Sequence, residues 1–64
     1  MIKVNGTYRE SSDDSVATLL ARMGIDTRGI AVALNGEVVR RSEWDVTKIL
    51  DGATVEIVTA AAGG

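Results

Sequence analysis

Two Asn-Gly steps, Asn5-Gly6 and Asn35-Gly36, each separate short runs of alternating apolar and polar residues in a chain without proline. Asn-Gly in that setting is the strongest short hairpin signal, because a two-residue type I′ turn needs positive φ at both central positions. Residues 1–5 and 7–10 therefore read as one hairpin, and residues 30–34 and 37–40 as a second. In the first strand Ile2 and Val4 share a face, since side chains alternate along a strand. In the third, Ile30, Val32 and Leu34 share one face and Ala31 and Ala33 the other, which suits a strand away from the sheet edge.

Between the hairpins, Val16, Leu19, Leu20 and Met23 recur at helical spacing and form one apolar stripe. Asp13, Asp14 and Ser15 are the candidate N-caps, because a short side-chain oxygen accepts from the unpaired first-turn amides. Asp13-Asp14 thus reads as capping rather than as a cation site. Arg22 suits the negative end of the helix dipole, and Gly24 stands where a left-handed residue would end the helix.

Further on, Ser42 opens a short helical turn that points Trp44 at the core, and Val46, Ile49 and Leu50 have the spacing of a second short helical piece. Asp51-Gly52 turns the chain into a last strand over 54–59, with Val55 and Ile57 on one face. The order β-β-α-β-β-(short helix)-β, with one helix to cover one face of a sheet, makes the fold class α+β.

The chain has 64 residues and a net charge of −2, with no Cys and no His. A domain near this size buries only about 60% of the surface its unfolded chain exposes. Its stability is therefore expected at about 3–5 kcal/mol from a small aliphatic core. Without Cys or His there is no disulfide, thiol nucleophile, usual zinc site or imidazole base. The acidic balance argues against nucleic-acid binding. No segment has the apolar length of a signal peptide or a membrane span, so the expectation is a cytoplasmic protein with no membrane partner. Arg40-Arg41 reads as a solvated pair and Arg28 as a loop residue. The outer sheet face, with Ala31, Ala33, Val39 and Val58, is expected to form an exposed apolar patch of the kind that marks interfaces.

The sequence closes on Thr59, Ala60, Ala61, Ala62, Gly63 and Gly64. Such small residues cannot pack a core. The expected division is a domain over 1–59 and a flexible tail over 60–64. Glycines without side chains are thin enough to thread a narrow enzyme channel. Five extended residues reach at most about 18 Å. Ala62, Gly63 and Gly64 are thus the residues expected to thread partner active sites, with the terminal carboxylate as the reacting group.

Several stretches carry a resemblance. They are Val16-Ala17-Thr18-Leu19-Leu20, Arg28-Gly29-Ile30-Ala31-Val32-Ala33-Leu34-Asn35-Gly36, Val38-Val39, Arg41-Ser42-Glu43-Trp44, and the run from Leu50 to Val58 with Gly63-Gly64. Together they resemble the ThiS family, the sulfur carriers of thiamine (thiazole) biosynthesis. The resemblance implies a ubiquitin-like β-grasp, a mixed sheet of about five strands on one main helix. Its first and last strands lie parallel in the middle of the sheet.

The resemblance also implies chemistry. An E1-like adenylating enzyme (ThiF type) uses MgATP to adenylate the Gly64 carboxylate. A persulfide from a sulfur donor protein converts it to a thiocarboxylate, and a thiazole synthase (ThiG type) accepts the sulfur. The chain itself would be a co-substrate that binds no cofactor and no metal and supplies no catalytic residue. The alternatives are a molybdopterin-synthase small-subunit type of sulfur carrier, a ubiquitin-like modifier joined to lysines, and a β-grasp interaction module whose glycines do nothing.

Overall fold

The computed structural model describes residues 1–11 and 13–59. Strands β1 (Ile2–Val4) and β2 (Thr7–Arg9) form the first hairpin and β3 (Ile30–Leu34) and β4 (Glu37–Val39) the second, with helix α1 (Val16–Met23) between them. A 3₁₀ turn at Arg41–Glu43 and strand β5 (Thr54–Thr59) complete the order. Both Asn-Gly turns have positive φ throughout, 48° and 83° at Asn5-Gly6 and 50° and 86° at Asn35-Gly36. β1, β2 and β4 each end a residue earlier than the pattern predicts, and β1 begins one later, whereas β3 and β5 have the predicted bounds.

The five strands form one sheet in the order β2-β1-β5-β3-β4. β5 runs parallel to β1 and antiparallel to β3, so the last strand lies in the middle. With α1 on one face, this is the ubiquitin-like β-grasp. Ile2, Val4, Val32 and Val55 from the sheet meet Val16, Leu19 and Leu20 from the helix, and Trp44, Ile49 and Ala53 close the cluster. Trp44 is core, as its place in the sequence predicts, and its indole N–H donates to the Val39 carbonyl at 3.0 Å.

Of the three candidate caps, Ser15 takes the role. Its Oγ accepts from the Thr18 amide at 3.2 Å. Asp14 instead reaches Arg22 at 3.2 Å. The helix ends as expected at Gly24, with φ 67°. The Gly24 amide donates to Ala21 and the Ile25 amide to Leu20, the paired bonds of a Schellman ending.

The second helical piece predicted from Val46, Ile49 and Leu50 does not form. Ile49 is 2% exposed, but Val46 is 75% and Leu50 64% exposed. The reason lies in α1. A helix leaves its first amides without intrahelical partners. Here the Val16 amide donates to the Thr47 carbonyl at 2.9 Å and the Ala17 amide to the Trp44 carbonyl at 3.0 Å. The Ile49 amide in turn donates to the Asp14 carbonyl, and Ser15 bridges to Lys48. Satisfying the helix start draws residues 47–49 into an extended pairing, and 3.6-residue periodicity cannot survive there.

Candidate functional site

The residues expected to react and to thread partner sites, Ala62, Gly63 and Gly64, lie outside the described residues, as does the whole 60–64 segment. What the structure places is the strand they follow. β5 is hydrogen-bonded on both sides, and its last residue, Thr59, pairs with Ile30 at the start of β3. Thr59 therefore stands at the end of the sheet where the Arg28-Gly29 loop enters β3.

Two asparagine side chains hold β5 to its neighbours. The Asn35 backbone N–H donates to the Thr54 carbonyl at 2.7 Å, and its side-chain Oδ1 accepts from the Thr54 backbone N–H at 2.9 Å. Near the other end, Asn5 Oδ1 accepts from the Ile57 amide at 2.7 Å, while Asn5 Nδ2 donates to the Ile57 carbonyl at 3.0 Å. The Asn-Gly turns carry these residues for their positive φ. Their side chains add a second task that turn chemistry alone does not reveal. The residue type carries a clue, because an amide side chain offers a separate donor and acceptor in one plane, as a peptide group does.

The outer face of the sheet carries an apolar patch over β3, β4 and the end of β5, with Glu56 set within it. Ala31 lies opposite Val58, and Ala33 lies opposite Glu56 on one side and Val38 on the other. An open depression of about 210 Å³ is lined by Ala31, Ala33, Val38, Glu56 and Val58. Val38 is 76% and Val58 57% exposed. Val39, expected on this face, is instead packed against the core. The two-residue turn pairs Leu34 with Glu37, and this puts Val38 across from Ala33 and Val39 across from Val32. Toward β1 and β2 the same face is polar, with Lys3 Nζ 5.5 Å from the centre of the Tyr8 ring.

Basic side chains stand at the end of the sheet near Thr59. Arg41, expected to be simply solvated, lies over the Trp44 ring at 4.5 Å and donates to the Thr27 carbonyl at 2.6 Å. Arg40 is exposed. Arg28 is a loop residue, as predicted, and its guanidinium holds Asp26 through Nε at 3.1 Å and Nη2 at 2.9 Å. That side-chain bond, with the Arg28 amide, lowers the Asp26 carboxyl below its ordinary value. Among the described residues no group of three or more acids could hold a metal. The chain has no His or Cys to supply other ligands.

Comparison with known proteins accords with this architecture. The ThiS family matches residues 2–64. A sulfur carrier protein ThiS from Thermus thermophilus is 33% identical over 64 residues, the full length of both chains. A thiazole synthase from Paramagnetospirillum magneticum is 37% identical over 62 residues, 95% of this chain but only 19% of that protein. This chain thus spans about a fifth of that relative's length. The crystal structure of a thiamine biosynthesis protein (ThiS) from Geobacter metallireducens superposes with a TM-score of 0.82 at 33% identity. The match covers 98% of this chain and 97% of that one. The solution structure from the same organism gives 0.74, covering 98% and 86%. By fold, length and residue match, the chain belongs to the ThiS family of sulfur-carrier proteins.

Proposed function

We propose that this chain carries sulfur for thiazole formation in thiamine biosynthesis, as a thiocarboxylate on Gly64. The observation that supports it most is the family match over residues 2–64, which takes in Gly63-Gly64. The chain is a co-substrate. A carboxylate is a poor electrophile, so it must first be activated. In the E1-like enzyme a Gly64 carboxylate oxygen attacks the α-phosphorus of MgATP and pyrophosphate leaves. A persulfide sulfur on the donor protein then attacks the acyl carbon and AMP leaves. Attack by a donor thiol on the resulting acyl disulfide releases the thiocarboxylate and leaves a disulfide on the donor.

The likeness to part of a thiazole synthase favours such an enzyme as the sulfur acceptor, because there a carrier-like stretch and a synthase share one chain. The exposed apolar half of the outer face, beside the strand that leads to Gly64, is the docking surface this reading assigns to the partners.

The test uses the whole chain isolated from its own cells, alkylated with a thiol reagent and weighed intact. Sulfur for oxygen alone is ambiguous, because oxidation of Met1 or Met23 adds nearly the same mass. With no Cys in the chain, an alkyl group mapped to Gly64 reports the thiocarboxylate. Its absence after incubation with the adenylating enzyme, MgATP and a persulfide donor would overturn the reading. Adducts on lysines of other proteins would replace it with a modifier role.

A further inference from the structure

β1 and β5 are joined by a short parallel ladder. The Lys3 amide donates to the Ala53 carbonyl and the Asn5 amide to the Val55 carbonyl, both at 3.0 Å. The next step along β5 would need backbone partners for Ile57, but the chain has already turned away at Asn5-Gly6, where φ is 48° and 83°. The Asn5 side chain fills the gap, accepting from the Ile57 amide and donating to its carbonyl. It acts as one more residue of β1 on the side where the backbone has left. Asparagine suits this position twice over. It tolerates the left-handed region better than most residues, and its amide carries donor and acceptor in one plane. Aspartate would keep the acceptor but set a second oxygen against the Ile57 carbonyl.

The clamp sits two residues before Thr59, where β5 ends and residue 60 begins. We propose that Asn5 is a positioning residue for the carrier reaction: its side-chain amide completes the hold on β5 at Ile57, on the β1 side where the backbone ladder has ended, and adenylation at Gly64 depends on that hold. This rests on the carrier function proposed above. Asn35 provides the internal control. It clamps the start of β5 at Thr54, at the far end of the strand from residue 60. A clamp that served only stability would show in the unfolding midpoint and leave kcat alone, whereas one that positions the strand for adenylation shows in kcat.

The experiment measures ATP–pyrophosphate exchange by an E1-like adenylating enzyme with the full chain as the varied substrate. Amide hydrogen exchange at Ile57, Val58 and Thr59 is followed on the free chain. Asn5→Gly keeps the turn and deletes both clamp bonds. Asn5→Asp keeps the turn and one acceptor, and covers the case in which the glycine variant does not fold. Ile57 exchange should quicken in Asn5→Gly, which removes the acceptor of that amide, and stay slower in Asn5→Asp, which keeps it. In both, kcat should fall at least about tenfold, since misplacing a reacting group is costly. KM should stay within about twofold, because docking is untouched. Asn35→Gly should lower the unfolding midpoint and leave kcat within about twofold. The proposal is overturned if Asn5→Gly keeps wild-type kcat while Ile57 exchange quickens, or if folded Asn5→Asp keeps wild-type kcat. It is also overturned if Asn35→Gly loses kcat in step with them. Failure of the wild-type chain to support exchange would instead remove the carrier reading beneath it.

Discussion

The amide of Ala17, in the first turn of α1, donates to the carbonyl of Trp44 at 3.0 Å. This bond joins the helix start to the residue whose indole is buried in the core. The loop after β4 therefore does two things at once. It inserts Trp44 beneath α1 and supplies carbonyls to amides that the helix cannot satisfy itself. Ser15 completes the arrangement by accepting from Thr18.

Ser15→Ala removes that acceptor. The expected loss is about 1 kcal/mol, a large share of the few kcal/mol available to a domain this small. Urea unfolding followed by circular dichroism measures it. Ser15→Asp, another good cap, should recover most of the loss. A midpoint unchanged by the alanine variant would mean that Thr47 and Trp44 carry the helix start alone.

Leu20 is 1% exposed and sits where the helix stripe meets the sheet. Leu20→Ala should cost about 2–5 kcal/mol through lost burial and the cavity left behind. That is comparable to the whole expected stability, so the variant should be largely unfolded at 37 °C. The emission of Trp44, the chain's single tryptophan, reports this directly by shifting to the red. A native-like spectrum with an unshifted thermal midpoint would contradict the core described here.

Arg28 holds the Asp26 carboxyl below its ordinary value. A depressed acid contributes stability above its unfolded pKa, about 3.9. That contribution is lost as pH falls through the lowered folded value. Wild type should therefore exceed Asp26→Asn in urea midpoint near neutral pH, by a small margin that salt reduces because the pair is exposed. The margin should vanish as pH falls below that lowered value. A gap that stays constant down to strong acid would show that the difference does not come from this ion pair.

Val38 is 76% exposed on the apolar half of the outer face. Val38→Glu should leave the unfolding midpoint within about 0.5 kcal/mol, as is usual for surface changes. If that face docks the adenylating enzyme, the KM of pyrophosphate exchange should rise about tenfold, the cost of desolvating a charge in an apolar contact. Kinetics identical to wild type would place the docking surface elsewhere.

The residues alone determined the five strands, the helix and its glycine ending, because turn chemistry and side-chain periodicity are local. They also determined the absence of thiol and imidazole chemistry, since no Cys or His is present. The partner of Ala33 was legible too, because a two-residue turn sets register, and counting from Asn35-Gly36 gives Val38 rather than Val39. Other features needed the tertiary structure. Val46, Ile49 and Leu50 have helical spacing, yet the open amides of α1 claim the backbone of that loop. Asn5 announces a turn, but its hold on Ile57 spans 52 residues of sequence. The pairing of β1 with β5 leaves no local trace either. These are bonds between distant segments, decided only when the sheet and helix close around one core and each unpaired backbone group must find a partner.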